Sequence, residues 1–300
     1  MSLSSKLFIC VQKQDIPGVI CELNDPNTKV DTGGAERIFC YYQTPLELAV
    51  EKDSDEIVKL LVNAGANVNV SHGSAAWTPL HTAASRGRCD MMRMLIAGGA
   101  NIEAQDIHGA TPVFKAWGDG VELLLAEGAN VEAVSPGGLT PLMKAASVGA
   151  MRVVEILLAH HAFVDAEDNR GFTALFHAVY AGNVNIVETL IAHEADVNAK
   201  DNQGLTPLMI IAGSYREHGS TSRVFMAKML LEKGADIFAE ADDGRTAVTF
   251  AVIGSWHYLE KFLRLEMDRR KFTAFAMSSH DRLGSNSHAS KLHKEMLRKI

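Results

Sequence analysis

Two kinds of apolar run alternate along the chain. A short Ala-rich run opens on threonine, as in "TPLHTAAS" from Thr78 and "TPLMKAAS" from Thr140. A Leu- and Val-rich run follows, as in "VVEILLAHH" from Val153. Apolar residues in both recur three and four positions apart, which is the period of a helix with one buried face. Thr before Pro reads as a helix N-cap followed by the first turn, and a Gly-Ala step after the second run reads as a stop. The pattern starts at Thr44, Thr78, Thr111, Thr140, Thr173, Thr206 and Thr246, with spacings of 34, 33, 29, 33, 33 and 40. Repetition at this period predicts an all-α stack of helix-turn-helix units. Connectors such as "DNRG" and "DNQG" predict tight hairpin-like turns between units.

The motifs resemble the ankyrin repeat. "TPLE" at Thr44, "TPLH" at Thr78, and "TPLM" at Thr140 and Thr206 match the start of its first helix. "LLVNAGANVN" from Leu60 and "LLEKGAD" from Leu230 match the end of its second. The resemblance covers residues 44–265, about seven units. Residues 1–43 read as a degenerate first unit, "SKLFICVQKQDIPGVICELND", with a long finger, so the array is expected over 1–265. The resemblance implies an ankyrin-repeat solenoid whose helix pairs are joined by β-hairpin-like fingers. Only His81 keeps the family's TPLH histidine. Glu47, Phe114, Met143, Phe176, Met209 and Thr249 replace it, and those units are expected to lose its hydrogen bonds. His161 and Glu194 stand where Gly ends the second helix, so both are expected in left-handed geometry at about 1 kcal/mol each.

Two units break the period. The fourth, "TPVFKAWGDGVELLLAEGAN" from Thr111, lacks the end of one helix and the start of the next, with "GDG" bridging the gap. The later unit from Thr206 adds residues at the same edge through "GSYREHGSTSR", Gly213 to Arg223, read as added loop. Length changes there are cheap in closure entropy. The shortening reads either as harmless variation or as a notch with Trp117 at its floor.

Composition narrows the function. A net charge of −7 argues against a general nucleic-acid binder. Cys10, Cys21, Cys40 and Cys89 form no C-x-x-C pair and are read as reduced, buried thiols in an intracellular protein. No signal-peptide core and no membrane span is expected. A cytoplasmic location is expected, with the nucleus left open. His160, His161, His177 and His193 fall at non-equivalent repeat positions, so no metal site and no cofactor is expected. "GDG" lacks the Lys-Ser/Thr of a phosphate loop, and no nucleophile or paired-carboxylate pattern stands out, so no enzyme is expected.

The resemblance implies a protein partner. In this family the residue before each Thr, the finger tips and the end of the first helix commonly face one. Carried onto this chain, these are Trp77, Leu139, Phe172, Leu205 and Arg245 before Thr, Arg170 and Gln203 at tips, and Arg86, Val148 and Tyr180 at helix ends. Phe39, Tyr41 and Tyr42 in the long first finger, with its Gly33–Gly34 turn, and Trp117 in the short unit add aromatics of the kind found in interface hot spots. The expected role is a non-enzymatic scaffold binding through the concave face and fingers. An adaptor of ubiquitin-ligase type and an accessory subunit of a large assembly remain open. Asn69 and Asn198 also resemble the asparagines that ankyrin-targeting hydroxylases modify.

Residues 266–300 are a basic tail outside the resemblance. They hold eight Lys or Arg and four Asp or Glu, which leaves −11 on residues 1–265. "SKLHKEMLRKI" puts Leu292, Met296 and Ile300 on one face of a C-terminal amphipathic helix. That helix reads either as a cap folded onto the last unit or as a docking peptide for a second partner.

Overall fold

The computed structural model describes residues 6–31, 43–71, 73, 75–213 and 220–283. The expected finger turn at Gly33–Gly34, the aromatics Phe39, Tyr41 and Tyr42, residues 214–219 of the insertion, and the C-terminal amphipathic helix lie outside the described residues. Among the described residues sixteen helices form, and the chain divides into two compact units, Met1–Asn169 and Arg170–Ile300.

The first unit is five successive helix pairs. They are Lys6–Gln12 with Ile16–Leu23, Pro45–Glu51 with Asp55–Asn63, Pro79–Ser85 with Cys89–Ala97, Pro112–Lys115 with Asp119–Ala126, and Pro141–Val148 with Met151–Ala159. Each helix packs on its pair-mate and on the equivalent helix of the next pair. No pair buries its apolar face alone, so the core runs along the row. Leu46, Leu61, Leu80, Leu95, Leu124 and Leu157 are among its fully buried members. The second unit repeats the scheme with Ala174–Ala181 and Val184–Ala192, Pro207–Gly213 and Ser220–Glu232, and Ala247–Ile253 and His257–Leu283. That last helix is 27 residues long and crosses the expected array boundary at 265 without a break.

The threonines stand at the starts of the first helices, and whether each is satisfied depends on the residue three places on. At Thr78, His81 accepts from the backbone N–H at Nδ1 over 3.2 Å, and its Nε2 reaches the Ala110 carbonyl at 3.0 Å. The expected loss of these bonds elsewhere is only half right. Glu47 accepts from the Thr44 N–H at 2.9 Å, and Thr249 accepts from the Thr246 N–H at 2.6 Å, because each has an oxygen that reaches the position of the imidazole nitrogen. Phenylalanine has none. Where Phe114 and Phe176 stand, the buried hydroxyls of Thr111 and Thr173 have no partner. A buried polar group left this way costs about 1–3 kcal/mol.

His161 and Glu194 adopt positive φ, 62° and 65°, as their replacement of Gly predicts. The insertion behaves differently from expectation. Its last four residues, Ser220 to Arg223, are helical, making the second helix of that pair 13 residues long. Arg223 is buried there, donating from Nη1 to the Ile211 carbonyl at 2.8 Å with its guanidinium 4.0 Å from the Trp256 ring centroid. The cation and its carbonyl partner make the added turn part of the core. The cysteines also depart from expectation. Cys10 and Cys89 are half-buried and Cys21 is exposed, all as free thiols, and Cys40 lies outside the described residues.

Candidate partner-binding surface

The fingers are set by one recurrent device, an aspartate five residues before the threonine. The Asp106 carboxylate accepts from the N–H groups of His108 and Ala110 at 2.8 and 2.9 Å. Asp201 accepts in the same way from Gln203 and Leu205. Each turn is closed by a backbone pair, Asp106 N–H to the Ala110 carbonyl and Asp201 N–H to that of Leu205. Neighbouring fingers join by single backbone bonds, such as Ile107 N–H to the Ala75 carbonyl at 3.1 Å. They pass so close that a Cβ on Gly138 would stand 2.8 Å from the Asn169 nitrogen.

In the first unit the fingers converge on a charged cluster at the shortened pair. The Asp106 side chain is wholly buried and ion-paired to the Lys115 ammonium at 2.8 Å. The Trp77 indole donates to the same carboxylate at 3.2 Å, and Lys115 lies 5.1 Å from the Trp77 ring centroid. Burial alone would raise the Asp106 pKa. The Lys115 hydrogen bond and the Ala110 and His108 amides outweigh it and hold the value at about 2. Burial lowers the pKa of His81, against the pull of the Ala110 carbonyl, so the ring stays neutral and can accept at Nδ1.

This cluster changes the standing of several expected contact residues. Trp77 is half-buried, hydrogen-bonded and stacked on His81. Leu139 is half-buried, and Arg86 is exposed but donates to the Glu51 carbonyl at 2.8 Å. Trp117 and Val148 are the large apolar side chains of the set that face solvent in the first unit. Trp117 sits six places after its threonine. At that place in the neighbouring pairs, Val50, Ala84 and Ala146 are fully buried, whereas Trp117 is 52% exposed. The reason is the missing turn. The helix stops at Lys115, Ala116 is extended, and Gly118 turns the chain with φ 49° and ψ −124° into the helix from Asp119.

In the second unit, Phe172 is half-buried against Phe176, with ring centroids 5.0 Å apart, and the Arg170 guanidinium lies over it at 4.4 Å. Leu205 is half-buried and Tyr180 is exposed. Gln203 is exposed and gives its carbonyl to the Asp242 N–H. Arg245 is exposed, bonded to Asp243 at 2.6 Å and laid over Phe250. Of the residues before Thr that were expected to face a partner, Trp77, Leu139, Phe172 and Leu205 are half-buried and not free surface. Trp77, Phe172 and Arg245 lie against the first helix that follows them, on His81, Phe176 and Phe250.

Asn69 and Asn198 each bridge to the next pair. Asn69 donates to the Gly99 carbonyl at 3.0 Å and accepts from Asn101 N–H at 2.7 Å, and Asn198 does the same with Gly234 and Asp236. Two features escaped the sequence reading. Asp106 was readable from the aspartate five places before Thr111, a spacing repeated at Asp168 and Asp201. Phe163 occupies the place of Asn67, Asn101 and Asn130, whose side chains accept from the N–H two residues on. It cannot make that turn, and it is 63% exposed. Among the described residues, no group of three or more His, Cys, Asp or Glu could hold a metal ion, and no helix is long and apolar enough to cross a membrane.

Paired helices stacked on their equivalents, with capped hairpin fingers between, define a helical repeat protein. The sequence profile described as "Ankyrin repeats (3 copies)" matches residues 7–106 and again 107–201, and that of a single "Ankyrin repeat" matches residues 203–242. The chain belongs to the ankyrin-repeat family. No curated protein matches it. Ankyrin repeats are generally modules of protein–protein interaction.

Proposed function

We propose that this protein is a non-enzymatic scaffold that binds a protein partner through its fingers and the ends of its first helices, with the indole of Trp117 as a central anchor in the first unit. The carrying observation is the exposure of Trp117 at a repeat position that neighbouring pairs bury. Tryptophan is costly to leave in water and is enriched at the centres of interfaces. Shortening the fourth unit thus has a gain: it turns a core position into a surface one without opening the core, since Val121 and Leu124 stay buried. Val148, exposed at the end of the next first helix, adds apolar area of the same kind.

The test is to capture partners by proximity labelling and measure their affinity for the wild-type chain and for Trp117→Ala with Val148→Ala. The expected result is binding weakened at least about tenfold with an unchanged circular dichroism spectrum. Full affinity for every captured partner overturns the assignment of this surface.

A further inference from the structure

Two kinds of bond cross from one finger to the next. In one, the N–H four places before a threonine donates to the carbonyl three places before the preceding threonine. Ile107 gives this bond to Ala75 and Asn169 gives it to Gly137, each at 3.1 Å. In the second unit Asn202 gives it to Arg170 and Asp242 to Gln203, at 3.0 and 3.1 Å. In the other, the imidazole of His81 reaches forward to the Ala110 carbonyl at 3.0 Å. Between the third and fourth helix pairs both bonds are made. Between the fourth and fifth pairs neither can be. The donor place there is Pro136, which has no N–H for the His108 carbonyl. The histidine place is Phe114, which has no nitrogen for the Leu139 carbonyl. Carbon packing takes their place at the tips, where a Cβ on Gly109 would stand 2.6 Å from Cδ of Pro136. The first helices also meet over a shorter length, four residues from Pro112 against eight from Pro141.

The second-helix side of the same junction is held. The Phe163 N–H donates to Glu132 at 2.7 Å, and Arg152 reaches Asp119 and Glu122 at 3.5 and 3.7 Å. Val121 and Leu124 on one helix and Val154 and Leu157 on the next are wholly buried. Each neighbour is also tied outward. Asp106 joins Trp77 of the preceding finger to Lys115 of the fourth pair, and the Asn169 side chain donates to the Pro136 carbonyl at 3.0 Å. Two firm bodies, one bonded edge and one unbonded edge are the parts of a hinge.

We infer that the fourth and fifth pairs form a hinge that pivots on their second helices and opens at the fingers. The contact surface straddles it, since exposed Trp117 belongs to the fourth pair and exposed Val148 to the fifth. A partner that touches both binds the closed state better than the open one and so holds the hinge shut. That consequence rests on the contact surface assigned under the proposed function; the hinge itself does not.

The test is amide-nitrogen relaxation dispersion on the full chain, which reads motion in microseconds to milliseconds. The expected result is exchange broadening at His108, Gly109 and residues 137–139 at least about threefold that at residues 75–77, beside the bonded junction. Pro136→Ala restores the missing N–H and Phe114→His the missing nitrogen, and each should cut the broadening at least about twofold. Pro136 is exposed at a finger tip, so its variant should keep the helical spectrum and carries the test if Phe114→His fails to fold. A profile no broader than at residues 75–77 overturns the hinge, as does broadening that Pro136→Ala leaves unchanged. The captured partner weakened most by Trp117→Ala with Val148→Ala, added to saturation, should then quench the broadening at least about threefold. Broadening that persists in that complex overturns the closing role while the contact surface stands. If that double variant weakens no captured partner, the surface and the closing role fall together and the hinge stands.

Discussion

The third and fourth helix pairs start from the same Thr-Pro motif and end in different states. In the third, Thr78 is satisfied by His81, the first helix runs its full seven residues, and the place six after Thr is buried Ala84. In the fourth, the Thr111 hydroxyl has no partner, the helix is four residues, and the equivalent place is exposed Trp117. What holds the shortened pair is borrowed from its neighbour. Asp106, in the finger between the two, gathers Trp77 from one side and Lys115 from the other. The difference shows that a repeat in a stack need not be self-sufficient, because its missing contacts can be made by the finger that precedes it.

Removing that finger's carboxylate should have the largest effect. Asp106→Ala strips partners from Trp77, two backbone amides and a half-buried ammonium, and should cost about 3–5 kcal/mol in urea denaturation. A loss under about 1 kcal/mol would show that the fourth pair stands unaided. Next is acid. The folded Asp106 pKa is about 2 against an ordinary 3.8, so its contribution is present above the unfolded value and lost as pH falls from 3.8 towards 2. The wild type should lose about 2 kcal/mol across that window that Asp106→Asn does not, measured as the difference between their stability–pH curves. Exchanging the third position of the two motifs comes after. His81→Phe should destabilise by about 1–2 kcal/mol, and Phe114→His should gain about 0.5–1 kcal/mol by giving Thr111 a partner. If both changes destabilise, packing and not hydrogen bonding distinguishes the two pairs. Smallest is Trp117→Ala, expected within about 0.5 kcal/mol by thermal denaturation, since the indole is already in water.

Much of the array was legible because its rules are local. Thr with Pro announces a cap, and the 33-residue period announces a stack, whatever lies elsewhere in the chain. The left-handed His161 and Glu194 followed from the same register. The contact surface was less legible. Trp77 and Phe172 sit in family contact positions, yet one bonds to Asp106 of the next finger and the other stacks on Phe176 of the helix that follows it, contacts that the position in the repeat does not reveal. Helix from Ser220 was hidden too, because Arg223 is core only once the Ile211 carbonyl and the Trp256 ring are beside it.

Sequence alone determined the helices, their order and their period, since these rest on interactions spanning a few residues. Only the tertiary structure decided which polar groups were answered and which apolar ones faced water. Those outcomes depend on partners about thirty residues away, as with His81 and Ala110 or Trp77 and Asp106, and distance along the chain says nothing of distance in space.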